Sequence, residues 1–67
     1  MKLYELERGA KLLLPITDGK TETKELCTFR TLDGAYSVIE TPKGDIVHLS
    51  ASAPLKKVGN HYELEES

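Results

Sequence analysis

Residues 31–44 read Thr31-Leu32-Asp33-Gly34-Ala35-Tyr36-Ser37-Val38-Ile39-Glu40-Thr41-Pro42-Lys43-Gly44, and the fold turns on this stretch. Two segments, Thr31-Leu32-Asp33-Gly34 and Thr41-Pro42-Lys43-Gly44, share a turn pattern ten residues apart with glycine in the fourth place. Proline second and glycine fourth suit a type I turn followed by a left-handed residue that forms a bulge. Applied to both turns, this choice pairs Thr31 with Ala35 and Thr41 with Asp45. Counting outward, Phe29 faces Ser37, Cys27 and Val47 both face Ile39, Ser37 faces Leu49, and Ala35 faces Ala51. One face then carries Cys27, Phe29, Ile39, Val47, Leu49 and Ala51, a wall for a core. The other carries three rows: Arg30-Tyr36-Ser50, Thr28-Val38-His48 and Leu26-Glu40-Ile46. A two-residue loop would shift the pairing by one and turn Tyr36 inward; the bulged register segregates apolar from polar residues more cleanly.

Outward from this meander, glycines and prolines cut the chain into short pieces. Leu3 and Leu6 precede Arg8-Gly9 and suit an irregular or 3₁₀ turn anchoring the N-terminus. Residues 11–15 read as a short apolar strand, and residues 17–23 as a mobile polar loop. Runs at 24–31, 35–41 and 46–51 are rich in β-branched and aromatic residues, as strands are. A last hairpin runs from residues 55–58 through Gly59-Asn60 to residues 61–65, and Lys56-Lys57 suits an edge strand. No segment holds a 3.6-residue period for long enough to make a helix. The expectation is one all-β domain over residues 1–67, a small SH3-like or OB-like barrel of about five short antiparallel strands.

Composition narrows the functional classes. The chain has 67 residues, 39% hydrophobic and 30% charged, with a net charge of −2. A domain this short buries only about 60% of its unfolded surface, too little for a Rossmann or P-loop fold. Its longest purely aliphatic run is Leu12-Leu13-Leu14, far from the roughly 20 residues of a membrane span. The start lacks the apolar region of an export signal, so the expected location is the cytoplasm. A slightly acidic chain lacks the basic footprint of a duplex-binding protein. The only local charge bias is the acidic tail Glu63, Glu65, Glu66.

The chemistry-bearing residues each have a plain structural alternative. His48 is the first candidate for chemistry, because a histidine side chain can serve as a general acid or base, and Ser50 and Glu40 share its face, but no nucleophile-elbow pattern accompanies them. The reading is therefore non-enzymatic, with His48 packed half-exposed on Val38. His48, His61 and Cys27 are too scattered for zinc, and Cys27 falls on the core side, so neither metal nor cofactor is expected. Gly19-Lys20-Thr21 matches the end of a phosphate loop, yet the first glycine of that motif is missing. Arg30 opposite Tyr36 is the more informative group. The pair offers an aromatic platform beside a guanidinium fork, or a cation–π contact that merely stabilises the sheet. Arg30, Tyr36, His48 and Ser50 are the candidate partner-binding residues, while Tyr4 and Tyr62 are assigned to closing the barrel ends.

Asp33-Gly34-Ala35-Tyr36-Ser37, Gly44 and Val47-His48-Leu49 follow an Asp-Gly-x-Tyr-Ser … Gly-x-x-Val-His-Leu pattern. Together with the opening Leu3-x-x-Leu6-x-x-Gly9, the chain resembles small uncharacterised β-barrel proteins encoded by bacteriophages and prophages. The resemblance spans about half the chain and carries no catalytic residue across. It implies a phage-encoded accessory protein or inhibitor that binds a host protein in the bacterial cytoplasm. Two alternatives stand beside this: a sponge that sequesters a small signalling nucleotide between copies of the Arg30-Tyr36 face, which would make it a homo-oligomer, and a virion or assembly accessory protein.

Overall fold

Alternation along the chain builds one curved sheet over a thin core. A computed structural model describes residues 1–65; Glu66 of the acidic tail lies outside them. The elements are a 3₁₀ turn Leu3–Glu5, then β1 (Lys11–Asp18), β2 (Thr21–Asp33), β3 (Tyr36–Glu40), β4 (Ile46–Val47), β5 (Leu55–Val58) and β6 (His61–Leu64). They form a six-stranded sheet in the order β4-β3-β2-β1-β6-β5. All neighbouring pairs are antiparallel except β1 with β6, so the sheet is mixed. Leu12 and Leu14 of β1, Cys27 and Phe29 of β2, and Ile39 of β3 point to one side at the two-residue period of a strand. Leu55, and Leu3 and Leu6 at the 3₁₀ turn, complete the buried cluster.

The sheet does not close into a barrel. After Val47 the chain leaves the regular ladder, and the connection at residues 51–55 bonds to the N-terminus instead. Leu3 N–H donates to Ala53 O (2.9 Å), Tyr4 N–H to Ala51 O (2.9 Å) and Leu55 N–H to Met1 O (2.7 Å). The N-terminus thus pairs with the segment between β4 and β5, and β4 and β5 are the two ends of an open sheet. The N-terminal anchor and the Lys56-Lys57 edge strand stand as expected. Tyr4 does not close an end: it is exposed, whereas Tyr62 packs against the core.

Residues 17–23 are strand rather than loop. Ile16 pairs with Thr23, Thr17 with Glu22 and Asp18 with Thr21, leaving only Gly19-Lys20 as the turn. The polar composition reflects two-sided exposure of a ribbon, which composition alone does not separate from a loop. Gly19-Lys20-Thr21 is thus a hairpin tip with no helix after it.

The two central hairpins differ. At β3–β4 the register is the expected one: Ile39 pairs with Val47, Tyr36 bridges to Ser50, and Ala51 N–H donates to Ala35 O (2.8 Å). Gly44 has φ +93°, its N–H donates to Thr41 O (2.9 Å), and Asp45 N–H donates to the Thr41 hydroxyl (3.1 Å). At β2–β3 the loop is only Gly34-Ala35. Asp33 pairs with Tyr36, Leu32 with Ser37 and Thr31 with Val38. Gly34 has φ +62° and Ala35 does not have a positive φ, the pattern of a type II′ turn. Carried unbroken, that register would set Arg30 opposite Ile39 on the core face and bury an unpaired charge. The ladder slips by one between Phe29 and Thr31, so Phe29 takes that place. The bulge restores the apolar wall: Cys27, Phe29 and Ile39 are buried, while Val47, Leu49 and Ala51 are half-buried.

Candidate functional site

The bulge also decides what surrounds the candidate face. Arg30 does not stand opposite Tyr36, as equal turns would require. It lies exposed on the outer side and donates from Nε (2.8 Å) and Nη2 to Oε1 of Glu40. The three outer rows become Asp33-Tyr36-Ser50, Thr31-Val38-His48 and Thr28-Glu40-Ile46. Each keeps its member on β3 and its member from residues 46–50 and replaces its β2 member. Lys11 extends the third row, donating from Nζ to the Thr28 hydroxyl (2.7 Å).

Tyr36 is 59% exposed, standing between Asp33 on β2 and Ser50 on the far side. Ile46, on β4 beside Glu40, is 50% exposed. The half-buried Val38 lies between their rows, so the face offers an aromatic and an aliphatic group around a shallow apolar floor.

His48 is positioned by its backbone neighbour rather than by a catalytic partner. Its Nδ1 lies 2.9 Å from Ser37 O, and a carbonyl only accepts, so Nδ1 carries the donated proton. In the neutral ring Nε2 is then left as an acceptor at the surface. This contact is possible because Ser37, fully buried, does part of the ladder's work with its side chain. Ser37 Oγ accepts from Leu49 N–H (3.1 Å) and donates to Leu49 O (3.0 Å). The serine hydroxyl takes the place of its own carbonyl, which is released to His48. The signal missed in the sequence was therefore a serine on the core face, where an apolar residue is the rule.

Ser50, Glu40 and His48 are not joined into one constellation. Ser50 Oγ accepts from Ser52 N–H (3.3 Å) and lies 2.9 Å from Ser52 Oγ, while Glu40 is held by Arg30. Cys27 is a free, buried thiol, and burial first, then the nearby Glu25 carboxylate, pushes its pKa up. His61 Nε2 lies 3.1 Å from Glu63 Oε2 on β6, a contact that lowers the Glu63 pKa, with Lys24 and Lys56 acting in the same direction. Among the described residues, no three His, Cys, Asp or Glu side chains are grouped to hold a metal ion. No helix among them is long and apolar enough to cross a membrane.

This geometry defines a small, mostly-β domain: one open mixed sheet with a partly apolar outer face. Comparison with known proteins found no matching family model, no matching curated protein and no matching solved structure.

Proposed function

We infer that the chain is a non-enzymatic binding module whose outer face on β3, β4 and the segment that follows β4, bearing Tyr36, Val38, His48, Ser50 and Ile46, docks on a protein partner. The observation that carries this is the exposure of Tyr36 beside an acidic rather than a basic neighbour. Asp33 is its ladder partner, and Arg30 is neutralised by Glu40. An anionic nucleotide stacked on Tyr36 would meet the Asp33 carboxylate instead of a free guanidinium, which disfavours the sponge. A protein surface needs only the aromatic anchor, flanking apolar area and a polar rim, with tyrosine among the residues that dominate interface energies. The resemblance to phage- and prophage-encoded proteins supports a host protein as that partner and an accessory or inhibitory role. Arg30 belongs to the rim of that face in this reading, because an exposed ion pair such as Arg30–Glu40 holds weakly and can give way to a partner's carboxylate.

The test is capture from a bacterial lysate on immobilised wild type, Tyr36→Ala and Tyr4→Ala in parallel. Both tyrosines are exposed, so neither change should disturb the fold. A specific partner should be retained by wild type and Tyr4→Ala, and its affinity for Tyr36→Ala should fall by about 2 kcal/mol or more. Equal retention by all three proteins, or a thermal shift with mono- or cyclic dinucleotides abolished by Tyr36→Ala, would overturn the protein-docking assignment.

A further inference from the structure

The sheet has free edges in four places, and three of them are blunted. β4 is only two residues long. On β5, Leu55 already exchanges backbone bonds with Met1, and Lys56 and Lys57 follow. On β1, pairing with β6 stops at Leu13, and the next residue aimed at that edge is Pro15, which has no N–H to offer. The fourth edge belongs to β2. This strand runs 13 residues, but β3 covers it only from Thr28 onward. Phe29 N–H donates to Ala10 O on the β1 side (2.8 Å), and antiparallel bonding alternates. Thr21, Thr23, Glu25 and Cys27 therefore bond to β1, while Glu22, Lys24 and Leu26 present their N–H and C=O groups outward. Among the described residues no strand covers them. The turn at residues 41–45 does not shield them either. Thr41, Lys43 and Asp45 line a groove with Ile16, Thr17 and Glu25, on the core side of the ribbon.

Unpaired backbone groups in a row are satisfied by another extended strand. The side chains on this edge specify which. Glu22 and Lys24 are both exposed and point to the same face; neither has an opposite charge within 4 Å among the described residues, although Lys24 lies near enough to Glu63 to lower its pKa. We propose that a second copy of this chain docks there, β2 against β2 in antiparallel fashion about a two-fold axis at Thr23. Glu22 then stands opposite Lys24 of the second copy and Lys24 opposite its Glu22, giving two ion pairs from one charge pattern. Thr23 meets Thr23 of the second copy, a favourable cross-strand pair. Moving the axis to Lys24 would oppose two lysines, so charge selects a single register. Lys24, which would repel a foreign apolar strand, is complemented by self. The two six-stranded sheets become one continuous sheet, with the Tyr36 faces still exposed. This pairing is independent of the partner-binding role of that face.

Sedimentation of the full chain across a range of concentrations, together with its charge variants, tests the pairing. Wild type should pass reversibly from one chain of 7.4 kDa to twice that mass. Lys24→Glu and Glu22→Lys each place like charges opposite one another twice, and each should weaken self-association by about tenfold or more. Mixed in equal amounts, the two variants should form a heterodimer, because every opposed pair is again of opposite sign. Far-UV circular dichroism confirms that each variant stays folded. A wild type that is monomeric up to about 1 mM overturns the proposal. So do single variants that associate as wild type does, or a mixture that remains monomeric.

Discussion

The hairpins β2–β3 and β3–β4 share the strand Tyr36–Glu40 and begin from the same Thr-x-x-Gly pattern, yet they turn differently. In the second, Pro42 sets the backbone angle of the first turn residue, and the Thr41 hydroxyl holds Asp45 N–H. Those two constraints leave one register. In the first, Leu32 has no such constraint, and strand β2 runs on to Asp33 before turning at Gly34-Ala35. A glycine can serve as the last residue of a bulged turn or the first residue of a tight one, because positive φ is open to it in both places. With glycine in the same place in both patterns, the glycine alone does not decide the turn. The difference reaches the functional face: the tight turn requires a bulge, the bulge takes Arg30 off the core face, and Arg30 then pairs with Glu40 instead of flanking Tyr36.

The largest effect expected from breaking this arrangement lies at Ile39, the fully buried apolar residue common to both hairpins. Ile39→Ala should destabilise the domain by about 2–5 kcal/mol and unfold both hairpins together in one denaturant transition. Leu49→Ala, at a half-buried position of the second hairpin, should cost less than Ile39→Ala. Equal losses would mean that the β4 side is packed as fully as the shared strand.

A smaller effect compares the turns directly. Gly34 and Gly44 both have positive φ, and a Cβ added at either position would meet nothing within 4 Å. The cost of Gly34→Val or Gly44→Val is therefore backbone strain, about 1–3 kcal/mol at each, measured by urea denaturation. A change at Gly34 that is as mild as an ordinary surface substitution would contradict the tight turn.

Much of the fold was legible in the sequence because local rules suffice for it. The two-residue spacing of Cys27 and Phe29 marks the core face, Pro42 fixes one turn, and Leu3 and Leu6 mark the N-terminal anchor. Features set by competition between distant groups were not legible. The slip at Arg30 depends on where the turn at Gly34 puts the chain, so it cannot be counted from one end. The N-terminus bonds to residues 51–55, a contact between the start of the chain and its last quarter that no local pattern announces. Thr17 to Thr23 look like a loop because a two-stranded ribbon exposed on both faces has no apolar alternation to announce it. At the candidate site, Tyr36 and Val38 on β3 and His48 and Ser50 in the segment after β4 keep their places, while the β2 side of every row changes.

The central claim is the β2–β3 register, since it sets both the core wall and the surroundings of Tyr36. Nuclear Overhauser contacts between α-protons across the two strands measure it directly, because non-hydrogen-bonded antiparallel pairs bring those protons close. The register seen here places Leu32 and Ser37 in such a pair, two residues beyond the turn. A strong contact between the α-protons of Leu32 and Ser37 is the predicted result. A contact between Phe29 and Ser37 in its place would put Arg30 opposite Tyr36 and contradict the account.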